Sequence, residues 1–185
     1  MISREGAIVL LNRYIQNERM SNHCYAAEAV MRALARRLGE DEEKWGIAGL
    51  LHDLDIELVD GDLKVHTVDT EKILRDEGID ADVIDAIKMH NEEAWGAKRN
   101  GAFHHALAAG ETITGLIVAT ALVYPDKRLA SVKAKSVTKR MKEKAFAASV
   151  NRDTIMECEK LGLGLDEFTD ICLCAMKEIS DRIGL

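Results

Sequence analysis

Residues 45–57 read WGIAGLLHDLDIE, an apolar helical segment that runs directly into the adjacent pair His52–Asp53. Asp41 precedes this segment and can cap the helix start, because its side chain can accept hydrogen bonds from backbone N–H groups. An apolar turn, Gly49-Leu50-Leu51, comes immediately before the pair. The segment therefore predicts a buried helix with two polar side chains at its end.

Helical patterns extend on both sides of this segment. Ile8, Leu11 and Tyr14 belong to an apolar stripe at helical spacing. The stretch 103–123 is apolar nearly all round in its second half, which is typical of a central buried helix, and Pro125 ends it. Strand signals are absent, so we predict an all-α fold, a helical bundle of about six to nine helices around a buried site. The other predicted helices run from Ser21 to Gly39 and over about 42–55, 66–77, 81–90, 152–161 and 165–183.

Length and composition bound the class of protein. The chain has 185 residues, of which 47% are apolar and 31% charged, so disorder is not expected. Domains typically have about 100–200 residues. No repeat or change of composition marks a boundary. We therefore predict a single domain over residues 1–185.

The charge balance and the cysteines limit partners and compartment. The chain has 25 basic and 32 acidic residues, a formal charge of −7, which disfavours duplex DNA and anionic membranes. Its longest uncharged run, 112–125, is shorter than the roughly 20 residues that span a bilayer. Residues 1–18 show no signal peptide pattern, and the four cysteines form no Cys-x-x-Cys pair. We expect a cytoplasmic protein with no membrane or duplex nucleic acid partner. A homodimer is an alternative to a monomer, because apolar helix faces can form a dimer interface.

The histidines carry the functional argument. Six are present, at positions 23, 52, 66, 90, 104 and 105. Each of the first four lies at a predicted helix end or beside an apolar face. Taken alone, any one of them is better explained as a half-buried structural side chain. Together with Asp53, four imidazoles that converge from different helices can bind one or two divalent metals in a bundle core.

The order of these residues resembles the HD-domain superfamily of metal-dependent phosphohydrolases. The sequence has a first histidine, then His52–Asp53, then two more histidines and an acid, as in the branch with six ligands for two metals. The local sequence is similar over most of the chain, and its last part resembles the tail of small bacterial HDIG-type hydrolases. The similar segments are NHCYAAEAVMRALARRLG from residue 22, WGIAGLLHDLDIE from 45, HTVDTEKILRDEGIDADVIDAIKMHNE from 66, ALAAGETITGLIVATALVYPDKRL from 106 and VKAKSVTKRMKEKAFAASVNRDTI from 132.

This resemblance implies a ligand set and a cofactor. One or two divalent ions are expected, with Fe, Mn, Ni, Zn, Co and Mg as candidates. The first would be held by His23, His52, Asp53 and Glu111, and the second by His66 and His90, with Asp53 able to bridge. In one-metal members the residues at the third and fourth histidines contact the phosphate instead. The implied catalytic residues are Asp53, His66 and His90.

Two positions depart from the family pattern. Glu111 stands where the family usually has aspartate, so it is either a ligand or an acid outside the ligand set. Leu54–Asp55 stands where the family usually has Ile–Gly. We expect little consequence from this second departure, because these positions are more structural than chemical in the family.

Candidate substrate ligands lie in the second half of the chain. His104 shares a helix face with Glu111, so it can contact a phosphate or shuttle a proton, or it can be a solvated residue. Lys135, Lys139 and Lys142 lie at spacings of four and three, which places them on one helix face, turned towards either an anionic substrate or solvent. Arg152 can bind phosphate in a bidentate manner.

These features lead to three hypotheses about function. The leading one is a phosphohydrolase that uses metal-activated water to cleave a phosphate ester of a small metabolite or nucleotide. The second is a di-iron oxygenase, because the same ligand set supports that chemistry in the superfamily. The third is a non-catalytic ligand-binding domain, which only the change from aspartate to Glu111 favours.

Overall fold

The computed structural model describes residues 2–185 and confirms the all-α helical bundle. Over these residues the chain forms eleven α-helices and no strand. Three of the helices are single turns of four residues, too short to produce an apolar pattern. The helices are α1 (Arg4–Tyr14), α2 (Glu18–Leu38), α3 (Glu42–Leu51), α4 (Val68–Asp76), α5 (Ala81–His90), α6 (Glu92–Trp95), α7 (Ala102–Leu122), α8 (Ala134–Arg140), α9 (Arg152–Ile155), α10 (Leu165–Glu178) and α11 (Ser180–Ile183), with 3-10 segments at Leu129–Ser131 and Met156–Leu161.

The two longest helices, α2 and α7, form the centre of the bundle. Helix α3 packs along α2, and both contact α7. Within the described residues, α7 is the one helix long and apolar enough to span a membrane, but 67% of its apolar window is buried inside the protein. Its buried side chains, such as Leu107 and Ile117, join one apolar core that extends from α1 to α11. Helix α7 thus packs as the predicted central helix.

A glycine allows α3 to approach α2 closely. A Cβ atom added at Gly49 would lie 2.6 Å from the carbonyl oxygen of Ala27, closer than real Cβ contacts. Only a residue without a side chain fits there, so the backbones of the two helices meet. This contact sets the separation between His23 on α2 and His52 at the end of α3.

Several helix boundaries differ from the sequence prediction. Helix α2 begins at Glu18 rather than at Ser21, because the Asn17 side chain accepts hydrogen bonds from the amides of Arg19 and Met20. The predicted end at Gly39 is confirmed, with a left-handed φ of 76°. Helix α4 begins at Val68 and not at 66.

The later part of the chain is less regular than predicted. The predicted helix over 152–161 is α9 followed by a 3-10 segment, and the predicted helix over 165–183 breaks between α10 and α11. Helix α8 ends at Arg140, so Lys142 lies beyond the helix that carries Lys135 and Lys139. The prediction that all three lysines share one helix face is therefore wrong for Lys142. The Arg152 guanidinium donates to backbone carbonyls of 146–150, which holds that segment in turns.

Candidate metal centre

Four histidine rings and two carboxylates meet inside the bundle. They come from α2, the turn after α3, the turn before α4, the end of α5 and the middle of α7. The structure therefore brings together all six residues that the sequence suggested as ligands. We call this group the metal centre; its members are His23, His52, Asp53, His66, His90 and Glu111.

The rings form two pairs on either side of Asp53. The Nε2 atoms of His23 and His52 lie 3.2 Å apart, and those of His66 and His90 lie 3.1 Å apart. Asp53 Oδ2 is 3.3 Å and 3.6 Å from Nε2 of His52 and His23. Asp53 Oδ1 is 3.1 Å and 3.5 Å from Nε2 of His66 and His90. Each pair thus faces one oxygen of the same carboxylate.

Glu111 adds a second carboxylate to the first pair. Its Oε2 lies 3.7 Å from His23 Nε2. Ligand atoms of His23, His52 and Glu111 all lie within 4.8 Å of one another, and so do those of His52, Asp53 and His90. The side chains of His23 and Glu111 are 24% and 19% exposed, whereas that of His52 is fully buried. The centre therefore opens to solvent beside His23 and Glu111.

Backbone carbonyls orient two of the rings. His52 Nδ1 lies 2.9 Å from the Gly49 carbonyl oxygen, and His90 Nδ1 lies 2.6 Å from the Ile87 carbonyl oxygen. A carbonyl can only accept, so each Nδ1 must carry the hydrogen. Nε2 of each ring then points into the centre and carries a lone pair when the ring is neutral.

Side chains orient the other two rings in the same way. His23 Nδ1 lies 3.0 Å from the Thr114 hydroxyl, which donates its own hydrogen to the Glu111 carbonyl and so accepts from the ring. His66 Nδ1 lies 2.7 Å from a carboxylate oxygen of Asp55. Such outward hydrogen bonds are typical of metal-binding histidines, because they fix the ring and its tautomer.

The donor set fits divalent cations. In each pair the pKa of one ring is raised, that of His52 or His66, and the pKa of its partner is lowered, so a proton can be shared between Nε2 atoms 3.1–3.2 Å apart. A cation held near each pair would replace this proton with coordination, and imidazole with carboxylate suits several transition metals. The pattern of Nδ1 hydrogen bonds therefore supports a metal site on each side of Asp53.

Burial and neighbouring charges set the protonation of the centre. Burial lowers the pKa of His23 and His90 to about 4, so both rings are neutral at pH 7, as metal ligands must be. Burial also opposes ionisation of Asp53, but the surrounding histidines, of which His52 contributes most, hold its pKa well below the ordinary value. Burial raises the pKa of Glu111 to about 7. Asp53 is thus the permanent negative charge of the centre.

A sequence model of the HD-domain family matches residues 20–139, a range that includes all six residues of the centre. The chain belongs to the HD-domain family. HD domains form a superfamily of metal-dependent hydrolases. No curated protein and no solved structure matches the chain significantly.

Asp55 is a residue of this HD domain whose importance the sequence analysis missed. Its carboxylate is fully buried and accepts from His66 Nδ1 and from the amides of Thr67, Asp69 and Thr70. Burial opposes ionisation, but these donors hold the pKa of Asp55 below its ordinary value. The expectation that Leu54–Asp55 has little consequence is wrong for Asp55, because this side chain both orients His66 and joins the backbone amides at the start of α4.

Asp55 also changes the charge on its histidine. Burial would lower the pKa of His66, but hydrogen bonds to Asp53 and Asp55 raise it to about 9. A metal ion at this pair must therefore displace a proton from His66, which makes its binding weaker at low pH. The signal in the sequence was an acid two residues after Asp53 in an otherwise apolar stretch.

A second, half-buried network supports the end of α5 in the HD domain. The Arg99 guanidinium donates to the carbonyls of Met89 and His90, both at 3.0 Å, and pairs with Glu157. His105 Nδ1 lies 2.6 Å from the same Glu157. This network links His90 to the second half of the chain, and no local pattern in the sequence revealed it.

The predicted substrate ligand His104 has protein partners on both ring nitrogens. Its Nδ1 accepts from the Asn100 amide at 3.2 Å, and its Nε2 lies 2.9 Å from Asp85. The residue is 8% exposed. The solvated alternative is therefore wrong, and a role in substrate binding stays a prediction.

The other predicted substrate ligands lie on or near the surface. Lys135, Lys139 and Lys142 are exposed. Arg152 donates to the carbonyls of Phe146, Ala147 and Val150 rather than to an open pocket. Their roles in substrate binding stay predictions.

Proposed function

We propose that this HD domain is a metal-dependent phosphohydrolase that cleaves a phosphate ester of a small metabolite or nucleotide. The observation that carries the proposal is the division of four histidines into two pairs, each facing one oxygen of Asp53. Two ions on either side of one carboxylate match the two-metal arrangement used for phosphoryl displacement.

The residues of the chain have separate tasks in this proposal. His23, His52, Glu111 and Asp53 would hold one ion, and His66, His90 and Asp53 would hold the other. A bound divalent ion supplies an acidified water and neutralises phosphoryl oxygens. Asp53, His66 and His90 are the proposed catalytic residues. With one metal only, His66 and His90 contact the phosphate.

The open side of the centre indicates where a substrate approaches. His52 and Asp53 are buried, so a phosphate group enters beside His23 and Glu111. Gly115 lies one turn from Glu111 on α7, and a Cβ atom added at Gly115 would lie 3.2 Å from the Val150 side chain. The segment held by Arg152 therefore borders the helix face that carries Glu111, and we propose that it and the nearby lysines attract the anionic substrate. The cytoplasmic location and the homodimer stay predictions.

Elemental analysis together with an activity screen tests the proposal. Protein purified without chelators should contain up to two divalent ions per chain and should release phosphate from a panel of small phosphate esters under anaerobic conditions. His52→Ala and Asp53→Ala should lose both metal and activity. Asp170→Ala, an exposed acid on α10, is the matched control and should lose neither.

Two results would contradict the proposal in different ways. Consumption of oxygen by the iron-loaded protein, without phosphate release, would assign the centre to an oxygenase. Bound metal with no turnover on any ester would favour the non-catalytic domain.

A further inference from the structure

A cavity of about 520 Å³ lies against the face of α2 that is turned away from the metal centre. Tyr25, Glu28, Arg32 and Arg36 line it at helical spacing. Successive helix residues are about 100° apart, so Tyr25 points away from the face that carries His23. The remaining walls come from α1 and from the C-terminal helices, and none of the six residues of the metal centre lines the cavity.

A buried carboxylate organises the floor of this cavity. Glu28 is 3% exposed. It accepts from Arg4 Nε and Nη2 at 2.6 Å and 3.0 Å and from Arg32 Nε at 3.0 Å. Arg32 is held a second time by Glu43. The two guanidinium groups are therefore fixed before any ligand arrives.

Arginine predominates among the charged residues that line the cavity. Its walls contain four arginines and two glutamates, Arg4, Arg32, Arg36, Arg182, Glu28 and Glu178. Arg182 lies over the Tyr25 ring at 4.0 Å and, within residues 2–185, pairs with no carboxylate. Arg32 pairs with Glu43 and Arg36 pairs with Glu42, both outside the lining, so Arg182 is the wall guanidinium that remains without a carboxylate partner among the described residues.

We propose that this arginine cavity binds a small organic anion, with a phosphate or carboxylate group on the guanidinium groups and an apolar body against Ile8 and Ile179. Guanidinium groups bind both kinds of anion in a bidentate manner. The volume lies within the range of small-molecule sites, roughly 300–1,000 Å³. The site is separate from the metal centre, because α2 stands between them.

Ligand-observed NMR titrations with phenylphosphonate and with phthalate test the proposal. Neither probe has a phosphate ester bond to cleave, and both pair a dianion with an aromatic ring. A ligand of this size is expected to bind with a Kd of about 1 mM or lower. Binding of phenylphosphonate alone would indicate a phosphorylated ligand, and binding of phthalate alone a dicarboxylate.

Substitutions locate the binding. Arg182→Gln and Arg36→Gln change exposed side chains and should each weaken binding about tenfold, because a charge-assisted contact is lost. Arg13→Gln, on α1 and paired with Glu77 outside the cavity, is the matched control and should not change it. The His52→Ala variant should lose the metal and still bind the probe with unchanged affinity.

Two outcomes would overturn the proposal. One is that neither probe binds. The other is binding that His52→Ala abolishes while Arg182→Gln and Arg36→Gln leave it unchanged, which would place the probe at the metal centre. The thermal midpoint of each variant verifies that it is folded.

Discussion

Replacing Gly49 with alanine should push α3 away from α2 and weaken both the fold and the metal centre. The added Cβ would lie 2.6 Å from the carbonyl oxygen and 2.8 Å from the carbonyl carbon of Ala27. These are backbone atoms and cannot rotate away. Ordinary contact begins near 3.4 Å, so the helices must separate locally by about 0.8 Å.

The expected cost follows from two opposing effects. Alanine is favoured over glycine inside a helix by about 1 kcal/mol, whereas overpacking a dense interior costs typically about 1–3 kcal/mol and occasionally more. Because the added Cβ meets a rigid backbone, we expect an overpacking cost at the upper end of that range and a net loss of about 1–2 kcal/mol in the free energy of unfolding. Ligand geometry must hold to within about 0.5 Å, so the metal affinity should fall as well, because His23 and His52 lie on opposite sides of this contact.

Gly46→Ala provides the matched control in the same helix. Its added Cβ would lie 2.7–2.8 Å from side-chain atoms of Arg32 rather than from backbone atoms, so Arg32 must shift against its ion pairs with Glu28 and Glu43 while the two backbones keep their separation. We expect this variant to lose less stability than Gly49→Ala, at most about 1 kcal/mol, because the helix preference for alanine offsets part of the cost. Urea unfolding of the metal-free proteins, followed by circular dichroism, measures the stability, and elemental analysis measures the metal content. Equal stability and metal content for the two variants would refute the close-contact argument.

The remaining predictions concern single residues of the centre and its surroundings. Asp55→Asn should leave at least one of the four hydrogen-bond donors around Asp55 without an acceptor, since an amide nitrogen accepts nothing. In competition with a chelator, the affinity for the metal at His66 and His90 should be about 10–100-fold lower. An unchanged affinity would contradict the role of Asp55. Glu111→Asp should retain the metal and Glu111→Ala should lose part of it, whereas full metal content in the alanine variant would remove Glu111 from the ligand set. Lys139→Ala should raise the KM by about fivefold with unchanged metal content, and an unchanged KM would assign this lysine to the solvated surface.

Local signals predicted much of the helical structure. Helix α5 has the bounds that its apolar pattern predicted, 81–90, and Asp41 caps α3 with a hydrogen bond to the Lys44 amide as expected. Helix α4 starts late because Thr67 adopts a φ of 80°. A left-handed threonine is uncommon, and its amide donates to Asp55, so the cause lies outside the helix pattern.

The candidate site, like the helices, could be predicted only in part from the sequence. The order of the histidines, through its resemblance to a family, indicated the six residues that the structure brings together. The contacts that orient His23 and that support the end of α5 were not indicated, because they join residues distant in sequence. His23 and Thr114 are 91 positions apart, and Arg99 and Glu157 are 58 apart.

The two histidine pairs differ in the kind of structure that supports them, and this explains which of the supporting contacts a sequence can reveal. The first pair bridges α2 and α3, whose apolar faces and close backbone contact follow from periodicity and from Gly49. The second pair joins a turn to the end of α5, where Asn91 donates to the carbonyls of Leu63 and His66 at 2.7 Å and 2.9 Å. Directional bonds of this kind are each worth about 1 kcal/mol and have no sequence period. Polar side chains such as Asp55 therefore determine the geometry of the second pair, and only the folded chain shows which of its many acids do so.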